Sequence, residues 1–188
     1  MTVAVTIPTI ETDRLILRAP QFTDQDAYVR FKTSERSKFT GGPIFKDMAE
    51  SHFLHLSAYW MLRGYGILMG ALKGQPDTAI GGFGVFHPQR HEEPEFGWTL
   101  YDAKYEGKGY VTEAMRAIIP AMWDKLGVDT AQSHIDEGNA PSAAVARALG
   151  ATFDAKQTEI ANAPGGEFYD EEDKTIVHIW RHHKGEMT

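Results

Sequence analysis

Eleven consecutive residues, Lys104-Tyr105-Glu106-Gly107-Lys108-Gly109-Tyr110-Val111-Thr112-Glu113-Ala114, form a loop suited to holding an anion. Gly107 and Gly109 let the backbone take conformations that a side chain forbids, so successive N–H groups can converge on a negative charge. The segment before the loop alternates, with Phe96, Trp98 and Leu100 on one face, as a half-buried strand does. The segment after it sets Val111, Met115, Ile118, Met122 and Leu126 on one helical stripe, so the loop joins strand to helix and the helix dipole adds positive charge at its end. The nucleotide phosphate loop is excluded, because Lys108 is followed by Gly109 rather than Ser or Thr. The dinucleotide fingerprint fails as well, for want of a third glycine three residues after Gly109.

The chain has eight histidines and no cysteine. The absence of cysteine excludes disulfides, thiolate metal sites and a cysteine nucleophile. Three histidine pairs are worth weighing as metal ligands: His87 with His91, His52 with His55, and His182 with His183. None convinces: His52 and His55 have no third ligand in view, His182 and His183 fall in a polar tail where solvated side chains are the usual outcome, and no metal is expected. The aromatic set Trp60, Tyr65, Phe83, Phe86, Phe96 and Trp98 reads mainly as core, with some members available to line a cleft.

These residues need a scaffold, and the pattern supplies one. A strand is expected over Leu15 to Ala19, then a helix from Thr23 and Asp26 to about Phe31. Asp47 and Glu50 announce a second helix with Phe53, Leu54, Leu56, Trp60 and Met61 on its apolar face, ended by Gly64 and Gly66. Strands near Ile67 to Lys73, Ala79 to His87 and Glu95 to Tyr101 form a meander, with turns at Gly74-Gln75-Pro76-Asp77 and His87-Pro88-Gln89-Arg90. The loop helix runs to about Leu126 and should bend at Pro120. Strands near Thr130 to Asp136, Ala151 to Ile160 and Lys174 to Arg181, with a helix from Ala143 to Leu149, complete a mixed sheet.

The loop resembles the acetyl-CoA signature of the GNAT superfamily of N-acetyltransferases, which is Arg or Gln, two residues, Gly, one residue, then Gly or Ala. Lys104-Tyr105-Glu106-Gly107-Lys108-Gly109 matches both small positions and carries Lys at the first. The opening Glu11-Thr12-Asp13-Arg14-Leu15-Ile16-Leu17-Arg18 and the segment Asn139-Ala140-Pro141-Ser142, leading to Leu149-Gly150, resemble the branch similar to the ribosomal-protein acetyltransferases RimJ and RimL. The likeness covers about Glu11 to Trp180. It implies an α/β (α+β) fold, a mixed and mostly antiparallel central sheet flanked by helices on both faces.

The resemblance also implies a reaction: direct acetyl transfer from acetyl-CoA to a primary amine, either a protein N-terminus or a small amine. Lys104, Gly107, Lys108, Gly109 and Tyr110 would hold the pyrophosphate, and Leu100 and Asn139 the pantetheine arm. Arg147 could add charge. Ser142 would serve the leaving thiolate, although Asn139, Pro141 and Ser142 also read simply as a helix start. Glu95, on the strand face opposite Phe96, Trp98 and Leu100, is the preferred proton acceptor. Glu93, His87, Glu159 or a water chain are the alternatives. A second reading keeps the fold and the loop but no turnover, as an acyl-CoA-binding sensor module, and the orientation of Glu95 discriminates the two.

Composition fits one domain over residues 1–188 with a core of about 11–181. Hydrophobic residues make up 42% and charged ones 24%, with no repeat or linker. The formal net charge of −7 and the lack of a basic cluster argue against nucleic acid. No apolar run reaches membrane-spanning length, and Met1-Thr2-Val3-Ala4-Val5 lacks the basic start of a signal peptide. A cytoplasmic monomer or homodimer is expected.

Overall fold

A computed structural model describes residues 6–89 and 91–186. The opening Met1 to Val5, and Arg90 of the second expected turn, lie outside the described residues. The strands are β1 (Ile10–Glu11), β2 (Leu15–Arg18), β3 (Ile67–Leu72), β4 (Gln75–Phe86), β5 (Glu95–Leu100), β6 (Thr130–Asp136), β7 (Thr152–Phe153) and β8 (Val177–His183). The helices are α1 (Gln25–Lys32), α2 (Lys46–Arg63), α3 (Tyr110–Leu126), α4 (Ala140–Ala148) and α5 (Ala155–Asn162). One eight-stranded sheet runs in the order β1-β2-β3-β4-β5-β6-β8-β7. All its pairings are antiparallel except β5 with β6.

Each face of the sheet carries its own apolar layer. On one, α3 buries Met115, Ile118 and Met122 against Leu17, Phe83 and Phe96. On the other, Tyr28 and Phe31 of α1 and Phe53 of α2 pack with Met69 and Tyr101. The alternation of β5 is therefore real, with Phe96, Trp98 and Leu100 on the α3 side and Glu95 on the other. α3 runs unbroken through Pro120 and stops at Gly127, which is left-handed (φ 65°).

Several expected boundaries move for local reasons. α1 has Asp24 rather than Thr23 at its N-cap, and the Asp24 carboxylate, instead of capping α1, accepts the Gln21 N–H of the preceding turn at 2.8 Å and pairs in a buried fork with Arg18 at 2.8 and 2.9 Å. On α2, Phe53 and Trp60 are buried, whereas Leu54 and Met61 face outward. Leu72 pairs with Gln75, so Lys73-Gly74 makes the tight turn and Pro76-Asp77 belong to β4. The strand expected over Ala151 to Ile160 shrinks to Thr152–Phe153, because the Asp154 carboxylate accepts the Gln157 N–H at 2.9 Å and caps α5. The last strand starts at Val177 rather than Lys174 and continues to His183.

That extension overturns the reading of His182 as a solvated tail residue. It is 3% exposed, 2.9 Å from Ser133 Oγ, and edge-on to Phe96. Burial, helped by neighbouring His183, pushes its imidazole down from 6.5 to about 4. The folded chain thus keeps His182 neutral, while the unfolded chain takes up a proton below its ordinary pKa. This contribution to stability is complete above about pH 6.5 and is lost as pH falls toward about 4, by about 3 kcal/mol at the lower limit. His182→Gln, which does not titrate, is expected to flatten that decline, as urea unfolding of both proteins at neutral and mildly acidic pH would show.

Candidate functional site

Gly107 and Gly109 both adopt left-handed conformations, at φ 68° and 75°. Gly109 caps α3, and Gly107, Gly109 and the first helical turn at Tyr110, Val111 and Thr112 line one groove, which sets the unpaired N–H groups of the helix start beside it. The groove holds about 680 Å³ and is lined by Leu100, Gly107, Gly109, Tyr110, Asn139 and Ser142, among others. Six of the eight residues expected to bind the donor are thus brought together. Lys104 and Lys108 are not part of the lining. The Lys104 ammonium pairs with Asp102 at 3.2 Å, and Lys108 contributes its carbonyl to a clamp behind the loop. Arg147 lies over the Trp180 ring and not in the groove.

The clamp is Arg14. Its Nη1 donates to Lys108 O at 2.9 Å, its Nε to Glu113 Oε2 at 2.6 Å, and its guanidinium covers the Tyr110 ring. Glu113 also accepts from Thr12 Oγ1 and from the Arg14 N–H. Partial burial pushes the Glu113 pKa up, but the hydrogen bonds from Thr12 and Arg14 outweigh it and hold the carboxyl below its usual range. Residues of the opening segment therefore fix the loop's shape. Arg14→Ala is expected to loosen this preorganised cradle and, for the donor that the sequence resemblance implies, to weaken acetyl-CoA binding about tenfold, which titration calorimetry would measure.

The groove continues into a split in the sheet. β5 and β6 pair only at Glu95 with Gln132, where the Gln132 N–H donates to Pro94 O at 2.9 Å. Ser133 Oγ then donates to Phe96 O at 2.7 Å, and beyond it the strands part. The Tyr101 N–H turns to Ile80 O of β4, so by alternation the amides of Trp98 and Leu100 face the gap. These open peptide groups suit an amide-rich linear arm, and together with the left-handed glycines they fit the chemistry of coenzyme A. Across the gap Asn139 caps α4 by accepting the Ser142 N–H at 3.3 Å, and Ser142 Oγ accepts from Trp98 Nε1 at 3.4 Å. The helix-start reading is thus correct, and both side chains still line the groove.

A second cavity of about 450 Å³ meets the first at Trp98, Asn139 and Ser142. Glu95 and Asp136 are its carboxylates, and Tyr28, Phe31 and Phe86 contribute aromatic walls. Burial, aided by Asp173, raises the Asp136 pKa. Burial lowers that of Lys32, whose ammonium donates to Thr40 O at the cavity edge. Phe39 and Thr40 line both cavities, with Lys38 on the groove side and Gly41 on the cleft side, from a stretch with no legible motif in the sequence.

The alternatives to Glu95 are committed elsewhere. Burial alone would raise the Glu93 pKa, but hydrogen bonds from Arg181, Thr130 and Gln132 hold it low, and both its oxygens lie within 2.9 Å of Arg181 Nη1. His87 is bound by the Tyr65 hydroxyl and by His91 O, each at 3.1 Å, so its ring does not pair with that of His91. Glu159 sits exposed on α5, not on a strand. His52 and His55 lie exposed on α2.

Sequence reasoning missed two neighbours of Glu95. His134 Nδ1 is 3.4 Å and His91 Nδ1 3.9 Å from Glu95 Oε2. It also missed Arg36, which lines the groove and joins Glu106 at 2.7 Å. A His alternating with buried neighbours along Thr130 to Asp136 is the signal that could have exposed His134.

The family model described as an acetyltransferase (GNAT) domain matches residues 14–152. The crystal structure of an acetyltransferase from Agrobacterium tumefaciens is 33% identical, with a TM-score of 0.78 over 98% of this chain and 99% of that one. A GNAT-family acetyltransferase from Bacillus anthracis shares the fold at 17% identity (TM-score 0.73, 94% and 98% covered). So does RimL, the ribosomal L7/L12 alpha-N-protein acetyltransferase, in a complex with coenzyme A, at 16% identity (TM-score 0.73, 94% and 98% covered). No curated protein matches the chain.

Proposed function

The chain belongs to the GNAT family of acetyltransferases, and from that premise we propose that it transfers acetyl directly from acetyl-CoA to a primary amine, with Glu95 as proton acceptor. The observation that carries this reading is the junction of the two cavities, where the groove that suits coenzyme A meets a carboxylate-bearing cleft at Trp98, Asn139 and Ser142. Bound acetyl-CoA supplies the thioester carbonyl that the amine attacks. An amine reaches the protein mostly as ammonium, and Glu95 with Asp136 gives the cleft the charge to admit it. Glu95 then takes one proton from the ammonium so that the nitrogen lone pair is free to form the C–N bond; as the C–S bond breaks, the Ser142 hydroxyl donates its proton to the departing sulfur and regains one from the second proton that the new amide nitrogen sheds. No cysteine is present to carry the acetyl group, which supports direct transfer.

Glu95 lines the cleft instead of pointing away from it, which favours turnover over the sensor reading. The acceptor is a protein N-terminal α-amine or a small-molecule amine, and a cytoplasmic monomer or homodimer remains the proposed setting. The test is release of free thiol from acetyl-CoA with a panel of peptides and small amines. Thiol release coupled to an acetylated amine supports the proposal, and acetyl-CoA binding without turnover for any acceptor supports the sensor. Ser142→Ala is expected to lower kcat about tenfold to a hundredfold with little change in acceptor KM, as steady-state assays would show.

A further inference from the structure

We propose that His91, Glu95 and His134 form a binding site for a divalent transition-metal ion of the zinc class, with Glu167 and Gln132 orienting the two rings. One ligand atom from each of the three lies within 4.8 Å of the others. Both His Nδ1 atoms approach the same oxygen, Glu95 Oε2, at 3.4 and 3.9 Å. A tetrahedral ion with bonds of about 2.0–2.1 Å holds its ligands about 3.4 Å apart, so the two His–Glu separations lie within about half an ångström of that spacing and the widest separation, 4.8 Å at most, closes by a rotation of the rings.

The protonation pattern strengthens the case. Glu93, held ionised by Arg181, can only accept, so the Gln132 amide nitrogen donates to it at 3.1 Å and Gln132 Oε1 is turned to His134 Nε2 at 2.9 Å. His134 therefore carries its hydrogen on Nε2 and presents the Nδ1 lone pair to Glu95. The His91 Nε2 atom stands 3.0 Å from Glu167 Oε1, which sets a carboxylate behind that ring as well. The His134 Nδ1 lone pair and the Glu95 carboxylate, 3.4 Å apart, repel unless a proton or a metal cation lies between them, and a second ring nitrogen beside the same oxygen suits a cation shared by all three. An outer carboxylate or amide oxygen behind each ligating ring is the arrangement that fixes tautomer and aim at metal sites. The side chains of His91 and His134 are 3% and 8% exposed, and Phe168 packs on both rings, which keeps the site dry. Two imidazoles and a carboxylate suit zinc over magnesium or calcium, and they leave a fourth position toward the cleft.

The metal site itself does not depend on acetyl transfer; only its effect on turnover rests on the reading above. A cation there takes the Glu95 lone pair assigned to the amine proton, so zinc loading is expected to slow transfer and chelation to restore it. Titration calorimetry with Zn2+ and the visible spectrum with Co2+ test the site directly. The expected result is one ion per chain, four-coordinate Co2+ absorption, and binding weakened more than about tenfold by Glu95→Gln, His134→Ala and Gln132→Met. Acetyl-CoA titration of the same variants shows that they are folded. Zinc affinity unchanged in all three variants, or no stoichiometric binding to the intact protein, would overturn the metal site and leave the transferase reading standing. Stoichiometric zinc at this site with undiminished turnover would instead overturn Glu95 as the proton acceptor.

Discussion

Gly107→Trp is expected to abolish acetyl-CoA binding, with affinity falling at least about a hundredfold, equivalent to about 2.7 kcal/mol. At Gly107 a Cβ would meet no atom within 4 Å, so a side chain there has room without displacing the core, and Gly107 itself lines the groove, where the added bulk is expected to compete with the donor. The backbone cost is that of a non-glycine residue at φ 68°, about 1–2 kcal/mol. The fold should survive that loss, whereas the donor loses the space in which converging N–H groups meet its charge. Calorimetric titration with acetyl-CoA, and separately with ATP, checks the result alongside thermal melting. Loss of acetyl-CoA binding in a folded variant, with no ATP binding by the parent, identifies the groove as the donor site. Undiminished binding in the variant would move the donor elsewhere and sink the assignment of the loop.

The second large effect is expected at Glu95→Gln, with kcat lowered about 10²–10⁴-fold and acetyl-CoA affinity unchanged. Gln preserves size and hydrogen bonding but cannot accept a proton at neutral pH. Glu95 stands at the one residue pair that joins β5 to β6, so its backbone is well anchored and the substitution tests chemistry more than folding. A parallel fall in affinity for both substrates would mark Glu95 as a structural residue. Retention of kcat would shift proton acceptance to water or to Asp136.

The two-glycine loop, the alternating strand before it and the α3 stripe were legible because each depends on neighbours in sequence. Asn139 was legible for the same reason, since a cap acts within three residues. The α5 helix was not, because Ala151 to Ile160 has strand-like residues at its start and the decision falls to one capping carboxylate, Asp154. The surroundings of Glu95 were least accessible. His91 comes from the loop before β5, His134 from β6 and Phe168 from the segment before β8, and only the sheet order brings them together. The burial of His182 escaped notice likewise, because the polar residues around it in sequence hide a strand whose register against β6 extends to His183. Arg14 was recognisable as part of a motif, but nothing in its spacing reveals that it reaches Lys108 and Glu113.

The parting of β5 from β6 leaves a strand edge in the middle of a sheet. Open edges elsewhere invite another chain to pair with them and start aggregation, and proteins shield them with charges, bulges or short strands. This edge is shielded by confinement instead, since Asn139 and Ser142 stand opposite Trp98 across the gap and the loop at Gly107 lies at its far end. A flat sheet from a neighbouring molecule has no approach to it, whereas a single thin chain with its own amide groups can slide in lengthwise. The shape that admits such a ligand is therefore also the one that keeps the protein from polymerising through its own centre.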